Sequence, residues 1–119
     1  MEKILIVDDN EDMQLYMISL LEELYDIRLA KDGKSALEAI YKHHPQAVIS
    51  DVMMPIMDGY QLTEAIKTDP DIKHIPIILV TAKSGGGSIK SSLETGADDY
   101  LSKPFMAEEL IARTKAAVR

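Results

Sequence analysis

Five short apolar runs recur along the chain, Ile4 to Val7, Ile27 to Ala30, Ala47 to Ser50, Ile77 to Val80 and Tyr100 to Leu101, and they restrict the fold more than any other feature. The first, third and fourth are continuous β-branched or aliphatic stretches without polar alternation. Strands buried on both faces of a parallel sheet have this pattern, whereas a strand with one wet face alternates. Helical periodicity fills the intervals. Met13, Met17, Leu20, Leu21 and Leu24 share one face of a first helix, and Leu37, Ile40 and Tyr41 follow on a second. Leu62, Ala65 and Ile66 mark a third, Ile89 and Leu93 a weak fourth, and Leu110, Ile111, Thr114 and Val118 a fifth. Strand and helix alternating in this way predict a parallel α/β sheet covered by helices on both faces.

One stretch, TAKSGGGSIKSS from Thr81 to Ser92, has the composition of a linker. A cut there would leave only Ser88 to Arg119 on the C-terminal side, too little to bury a core of its own. Residues 1–119 are therefore read as a single domain, with Gly85 to Gly87 in the loop after the fourth strand. Each glycine inside a helix costs up to about 1 kcal/mol relative to alanine. The fourth helix is thus expected to start late, near Ser88 as N-cap, and to fray.

Charge and composition remove several function classes. Acidic residues outnumber basic ones 20 to 13, a net charge of -7, so a nucleic-acid backbone would be repelled and direct nucleic-acid binding is not expected. The absence of cysteine excludes disulfides and thiolate metal sites. No apolar run approaches transmembrane length, and MEKILIVDD reaches its acidic cluster too soon for a signal peptide. A cytoplasmic domain with no membrane attachment is the expectation.

In parallel α/β sheets the functional crevice lies beyond the carboxyl ends of the strands. Here those ends carry Asp8, Asp9, Asn10, Glu11 and Asp12 after the first strand, Asp51 after the third, Thr81 and Ala82 after the fourth, and Lys103 and Pro104 after the fifth. Asp8, Asp9 and Asp51, brought close together, repel unless a hard divalent cation sits among them. Magnesium suits an open carboxylate site, because it keeps several waters and leaves positions for phosphate; manganese is an alternative. Lys103 then serves as a point charge on phosphoryl oxygens, and the Thr81 hydroxyl as a hydrogen-bond donor to another. A carboxylate nucleophile in such company is suited to forming an aspartyl phosphate.

Blander readings exist for each piece. Asp51 alone could be a turn residue, and the acids from Asp8 to Asp12 could be a solvated helix cap. The same acids open like a calcium EF-hand loop, but that loop requires glycine where Met13 stands and glutamate where Ser19 stands. His43, His44 and His74 fall near predicted helix ends without partners for a metal site, and read as surface residues. Most methionines read as core fillers, with Met53, Met54 and Met57 as loop residues around the site.

In order, ILIVDDNEDM, SDVMMPIMDGYQL, PIILVTAK, GADDYLSKPF and EELIAR resemble the receiver domain of two-component response regulators, including the single-domain chemotaxis type. The resemblance covers nearly the whole chain from Ile4 onward. It implies a flavodoxin-like, three-layer α/β/α fold with strand order 2-1-3-4-5 and five helices. It implies Asp51 as phosphoacceptor, Asp9 and Asp51 as magnesium ligands, Asp8 contacting the ion mostly through water, and the Met53 backbone carbonyl completing the protein ligands. Thr81 and Lys103 become the phosphate-sensing pair, Tyr100 the switch aromatic, Lys103 to Pro104 a cis peptide, and Gly59 the glycine that starts the third helix.

The resemblance also implies a function. A histidine kinase or histidine phosphotransfer protein would donate the phosphoryl group. The surface of the fourth helix, fifth strand and fifth helix would then change its preferred partner, a downstream effector domain or target protein. A monomer or a weak phosphorylation-dependent dimer is expected, with self-catalysed transfer and slow autodephosphorylation but no enzymatic turnover. An aspartate-nucleophile phosphatase of the haloacid dehalogenase type needs a second aspartate where Met53 stands. A flavodoxin-like electron carrier needs a phosphate cradle where Asp8 and Asp9 would repel it. A non-phosphorylated pseudo-receiver would lack one of the acidic or lysine positions, all of which are present. Stand-alone receiver, transcription-factor fragment and hybrid-kinase receiver remain open at this point.

Overall fold

The apolar runs are strands in a computed structural model, which describes residues 1–82 and 96–119. β1 (Lys3–Val7), β2 (Asp26–Ala30), β3 (Ala47–Asp51), β4 (Ile77–Ala82) and β5 (Asp99–Lys103) form one parallel sheet in the order β2-β1-β3-β4-β5. Among the described residues there are four helices: α1 (Glu11–Leu21), α2 (Gly33–His43), α3 (Gly59–Lys67) and the C-terminal α4 (Ala107–Val118). The helix expected around Ile89 and Leu93, its Ser88 cap and the Gly85 to Gly87 loop lie outside the described residues.

Alternate side chains of the three central strands, β1, β3 and β4, enter different cores. Leu5, Val7, Val48, Ile77 and Leu79 pack with Ile40, Leu62 and Ile66 from α2 and α3. Ile4, Ile6, Ile49, Ile78 and Val80 pack with Met17, Leu21 and Leu110 from α1 and α4. Covering both faces is what makes the strand runs continuous rather than alternating. Each fully buried Ile or Leu contributes roughly 1.5–3 kcal/mol, so the two cores hold the sheet rigidly beneath its loops.

Three helices begin with a side-chain cap at the carboxyl edge of the sheet. Asn10, Asp32 and Asp58 accept hydrogen bonds from the backbone N–H groups of Met13, Ser35 and Gln61. Gln61 returns the contact by accepting the Asp58 N–H at 2.9 Å, completing a capping box. These caps tie down the loops in which the candidate site residues lie. The first two predicted helix faces each extend one residue too far. α1 ends at Leu21, so Leu24 sits in the following turn, donating to the Leu21 carbonyl, and is exposed. Tyr41 is inside α2, but one position round the helix from buried Ile40, and it faces solvent. Among the described residues no helix is long and apolar enough to cross a membrane.

Candidate functional site

Strand register brings the candidate residues to one edge. Val7, the last residue of β1, lies beside Ser50 of β3; Asp51 lies beside Val80 of β4; Thr81 and Ala82 lie beside Ser102 and Lys103 of β5. Asp8, Asp51, Thr81 and Lys103 therefore occupy the ends of neighbouring strands. Carboxylate oxygens of Asp8, Asp9 and Asp51 lie within 4.8 Å of one another. Asp8 and Asp51 are buried and Asp9 is exposed, so the cluster opens to solvent on one side. Lys103 Nζ stands 3.3 Å from Asp51 Oδ1 and 3.8 Å from Asp8 Oδ2. A cleft of about 370 Å³ borders the cluster at Asp9, lined also by Gln14, Lys31 and Ser35.

The electrostatics of the cluster are unresolved without a further charge. Burial, more than any other influence, pushes the Asp8 pKa up; the Asn10 N–H, which Asp8 Oδ1 accepts at 2.9 Å, and Lys103 oppose it, while Asp51 and Asp9 add to it. Asp8 Oδ2 and Thr81 Oγ1 are both buried without a hydrogen-bond partner among the described residues. Buried polar atoms are paired in the great majority of cases, so two orphans beside three carboxylates mark a place for something hydrophilic and partly cationic. The donor set is all oxygen, hard and open, which fits magnesium better than a softer ion.

The loop after β3 is tightly built. Asp51 Oδ1 accepts the Val52 N–H at 2.9 Å, and the Gly59 N–H donates to the Val52 carbonyl at 2.8 Å. A Cβ on Gly59 would stand 2.5 Å from the Asp51 carbonyl oxygen, so only glycine lets α3 start against the end of β3. Between them the Met57 N–H donates to the Pro55 carbonyl at 2.7 Å, with Ile56 at φ 69. This is a γ-turn of the strained, positive-φ kind, centred on a β-branched residue that is 77% exposed. The Met57 carbonyl accepts the Gly33 N–H at 3.1 Å, which locks the turn to the start of α2. Met53 lies in the same loop with its side chain in solvent.

Two of the residues singled out in the sequence lie beside the cluster rather than in it. Tyr100 is in β5, but its ring faces the Arg113 guanidinium of α4, 5.9 Å from centroid to Cζ, rather than Asp51. The Lys103–Pro104 peptide is cis, and Phe105 beyond it stacks at a tilt on Tyr16. Sequence reasoning missed Gln14, whose amide donates to the Asp8 carbonyl at 2.7 Å and to the Ala30 carbonyl at 3.3 Å, fastening β1 to β2 at the site. Nothing local marks a glutamine on a helix for that task. Ile56 was legible in principle, since a β-branched residue between Pro55 and the Asp58 cap of α3 is out of place in a tight turn.

A sequence profile of the response regulator receiver domain matches residues 4–115. Response regulator PleD of Caulobacter vibrioides is 40% identical over 118 residues, which take in 98% of this chain and 26% of PleD. The chain thus spans about a quarter of that relative's length. A crystal structure of a putative response regulator from Chloroflexus aurantiacus superposes with a TM-score of 0.94 at 37% identity, covering 98% of this chain and 97% of that one. The receiver domain of a sensor histidine kinase from Pseudomonas aeruginosa, solved with a magnesium ion coordinated in its active-site cleft, gives 0.89 at 31% identity, over 98% and 97%. With its strand order, its strand-end carboxylates and its profile match in agreement, the chain belongs to the response regulator receiver domain family of two-component signalling.

Proposed function

We propose that residues 1–119 form a single phosphoacceptor domain in which Asp51 takes a phosphoryl group from the phosphohistidine of a histidine kinase or histidine phosphotransfer protein. The observation that carries this reading is the Asp51 carboxylate set 3.3 Å from Lys103 Nζ, beside the carboxylates of Asp8 and Asp9 and near a buried Thr81 hydroxyl that has no hydrogen-bond partner among the described residues. Asp51 Oδ1 is engaged by the Val52 N–H and by Lys103, which leaves Oδ2 to attack phosphorus. The new O–P bond forms in line as the P–N bond to the donor imidazole breaks, the electron pair returning to the imidazole. Lys103 neutralises charge on one phosphoryl oxygen, and the orphaned Thr81 hydroxyl donates to another. Asp9, Asp51 and the Met53 carbonyl would hold magnesium or manganese, with Asp8 acting mostly through water. When bound, the ion supplies Lewis-acid neutralisation of the phosphoryl charge.

Two further features support a switch rather than a turnover enzyme. Met53 occupies the position where an aspartyl phosphatase carries its acid, so the acyl phosphate persists and only slow autodephosphorylation follows. Thr81 and Tyr100 lie on adjacent strands, so a Thr81 hydroxyl drawn toward phosphate frees room for the Tyr100 ring to turn inward. The face built by β5 and α4 then favours a different effector domain or target protein. The domain works in the cytoplasm as a monomer or a weak phosphorylation-dependent dimer, without contacting nucleic acid or membrane.

Incubation with acetyl phosphate and magnesium tests the reading. The intact mass should rise by one phosphoryl group in the wild type and stay unchanged in Asp51→Asn. No rise in the wild type, or an equal rise in the variant, would overturn it.

A further inference from the structure

Arg113 takes no part in the chemistry above, yet several groups converge on it. Nη1 donates to Asp99 Oδ1 at 2.7 Å, Nη2 donates to Glu109 Oε2 at 3.3 Å, and Cζ lies 5.9 Å from the centre of the Tyr100 ring. Asp99 precedes Tyr100 in β5, and its Oδ1 also accepts the Tyr100 N–H at 2.8 Å. One carboxylate oxygen thus fixes both the backbone of the tyrosine and the cation its ring faces. The guanidinium is planar and anchored on two nitrogens, so it cannot follow the ring if the ring moves. Its Nε is buried without a hydrogen-bond partner among the described residues, and the side chain is only one-third exposed. Partial desolvation of this kind strengthens the attraction between a cation and an aromatic face.

We infer that Arg113 is a positioning residue that latches Tyr100 outward in the unphosphorylated chain. The inference rests on the reading of Tyr100 as the aromatic that turns toward Thr81. Turning forfeits the Arg113 contact, so the latch widens the gap between the resting and active conformers, and any ligand that favours the active one works against it. A contact of this strength shifts the population by about two- to fivefold. The ion pairs themselves are half-exposed and contribute little to stability; their effect is to hold the cation in place.

Beryllofluoride with magnesium, a mimic of the aspartyl phosphate, provides the probe. Its affinity is measured by calorimetry for the wild type and Arg113→Met, and again for both in a Tyr100→Leu background. Arg113→Met should bind about two- to fivefold tighter than the wild type, and the gain should vanish once Tyr100 is leucine. Before any beryllofluoride is added, the Tyr100 ring resonances of Arg113→Met should already lie part-way toward their bound positions. Should Arg113→Met fold poorly, Arg113→Gln retains a planar donor to Asp99 without the cation and must show the same tightening. Unchanged or weaker binding in the variant that folds, or an equal gain without Tyr100, overturns the latch and leaves Arg113 a purely structural residue. No binding by the wild-type chain would sink the Asp51 reading as well, which separates the two failures.

Discussion

Two lysines bind loops at opposite ends of the sheet, and they are held in opposite ways. Lys67, the last residue of α3, donates from Nζ to the carbonyls of Lys73 at 3.2 Å and Ile75 at 3.0 Å and pairs with Asp98 Oδ2 at 2.8 Å. The same Asp98 oxygen accepts the N–H of Ile77, the first residue of β4. An ammonium has three protons, and here each has an acceptor. Lys103 faces Asp51 at 3.3 Å and Asp8 at 3.8 Å and, among the described residues, makes ion pairs but no hydrogen bond. Saturation makes Lys67 a strut. Incomplete satisfaction leaves Lys103, with Asp8 Oδ2 and Thr81 Oγ1 also lacking hydrogen-bond partners among the described residues, ready for a charge that arrives from outside.

If this contrast is right, the two lysines fail differently. Lys103→Ala should slow phosphorylation by acetyl phosphate about 100-fold, since one charged donor to the developing phosphoryl charge is gone, while the thermal midpoint changes little. A normal rate in that variant would break the contrast at its functional end. Magnesium should raise wild-type stability by about 2.7 kcal/mol at roughly 100 times its dissociation constant, and Asp9→Asn should need far more ion for the same rise; thermal melts across a magnesium titration report both.

Lys67→Ala should do the reverse of Lys103→Ala. Stability should fall by about 1–2 kcal/mol, discounted for the partial exposure of the pair, with an unchanged phosphorylation rate. Asp32→Ala removes the α2 cap and should cost about 1 kcal/mol at neutral pH. The Ser35 N–H, first among its causes, lowers the Asp32 pKa below 3.8, so the folded state holds the charged form more tightly than the unfolded. The cap's charge-dependent contribution is therefore complete above pH 3.8 and disappears as pH falls through the lowered folded value. Denaturation at pH 7 and near pH 3 should show the gap between wild type and variant closing. The smallest effect belongs to Ile56→Gly, which relieves the γ-turn and should stabilise the chain by under about 1 kcal/mol. A loss of stability there would mean that Ile56 is not strained.

Much of this was legible in the sequence because it follows from local rules. Continuous runs such as Ile4 to Val7 announce strands covered on both faces, and whatever follows such strands must meet at one edge. Hence Asp8, Asp51, Thr81 and Lys103 group together on the sequence pattern alone. Strand ends were set too short because Lys3, Asp26, Asp99 and Lys103 join the ladder through their backbone, which polarity of the side chain does not reveal. Gln14, the Lys67–Asp98 clasp and the Arg113 contact with Tyr100 depend on which elements approach one another in space. Hydrophobic period carries no information about those partners.

Borohydride trapping addresses the central assignment most directly. After phosphorylation by acetyl phosphate with magnesium, reduction converts an acyl phosphate to the alcohol at the residue that carried it, and fragment mass spectrometry locates that residue. Conversion to homoserine at position 51 alone is the expected result. Conversion at Asp8 or Asp9, or no conversion in a sample that has gained phosphoryl mass, would contradict Asp51 as the phosphoacceptor.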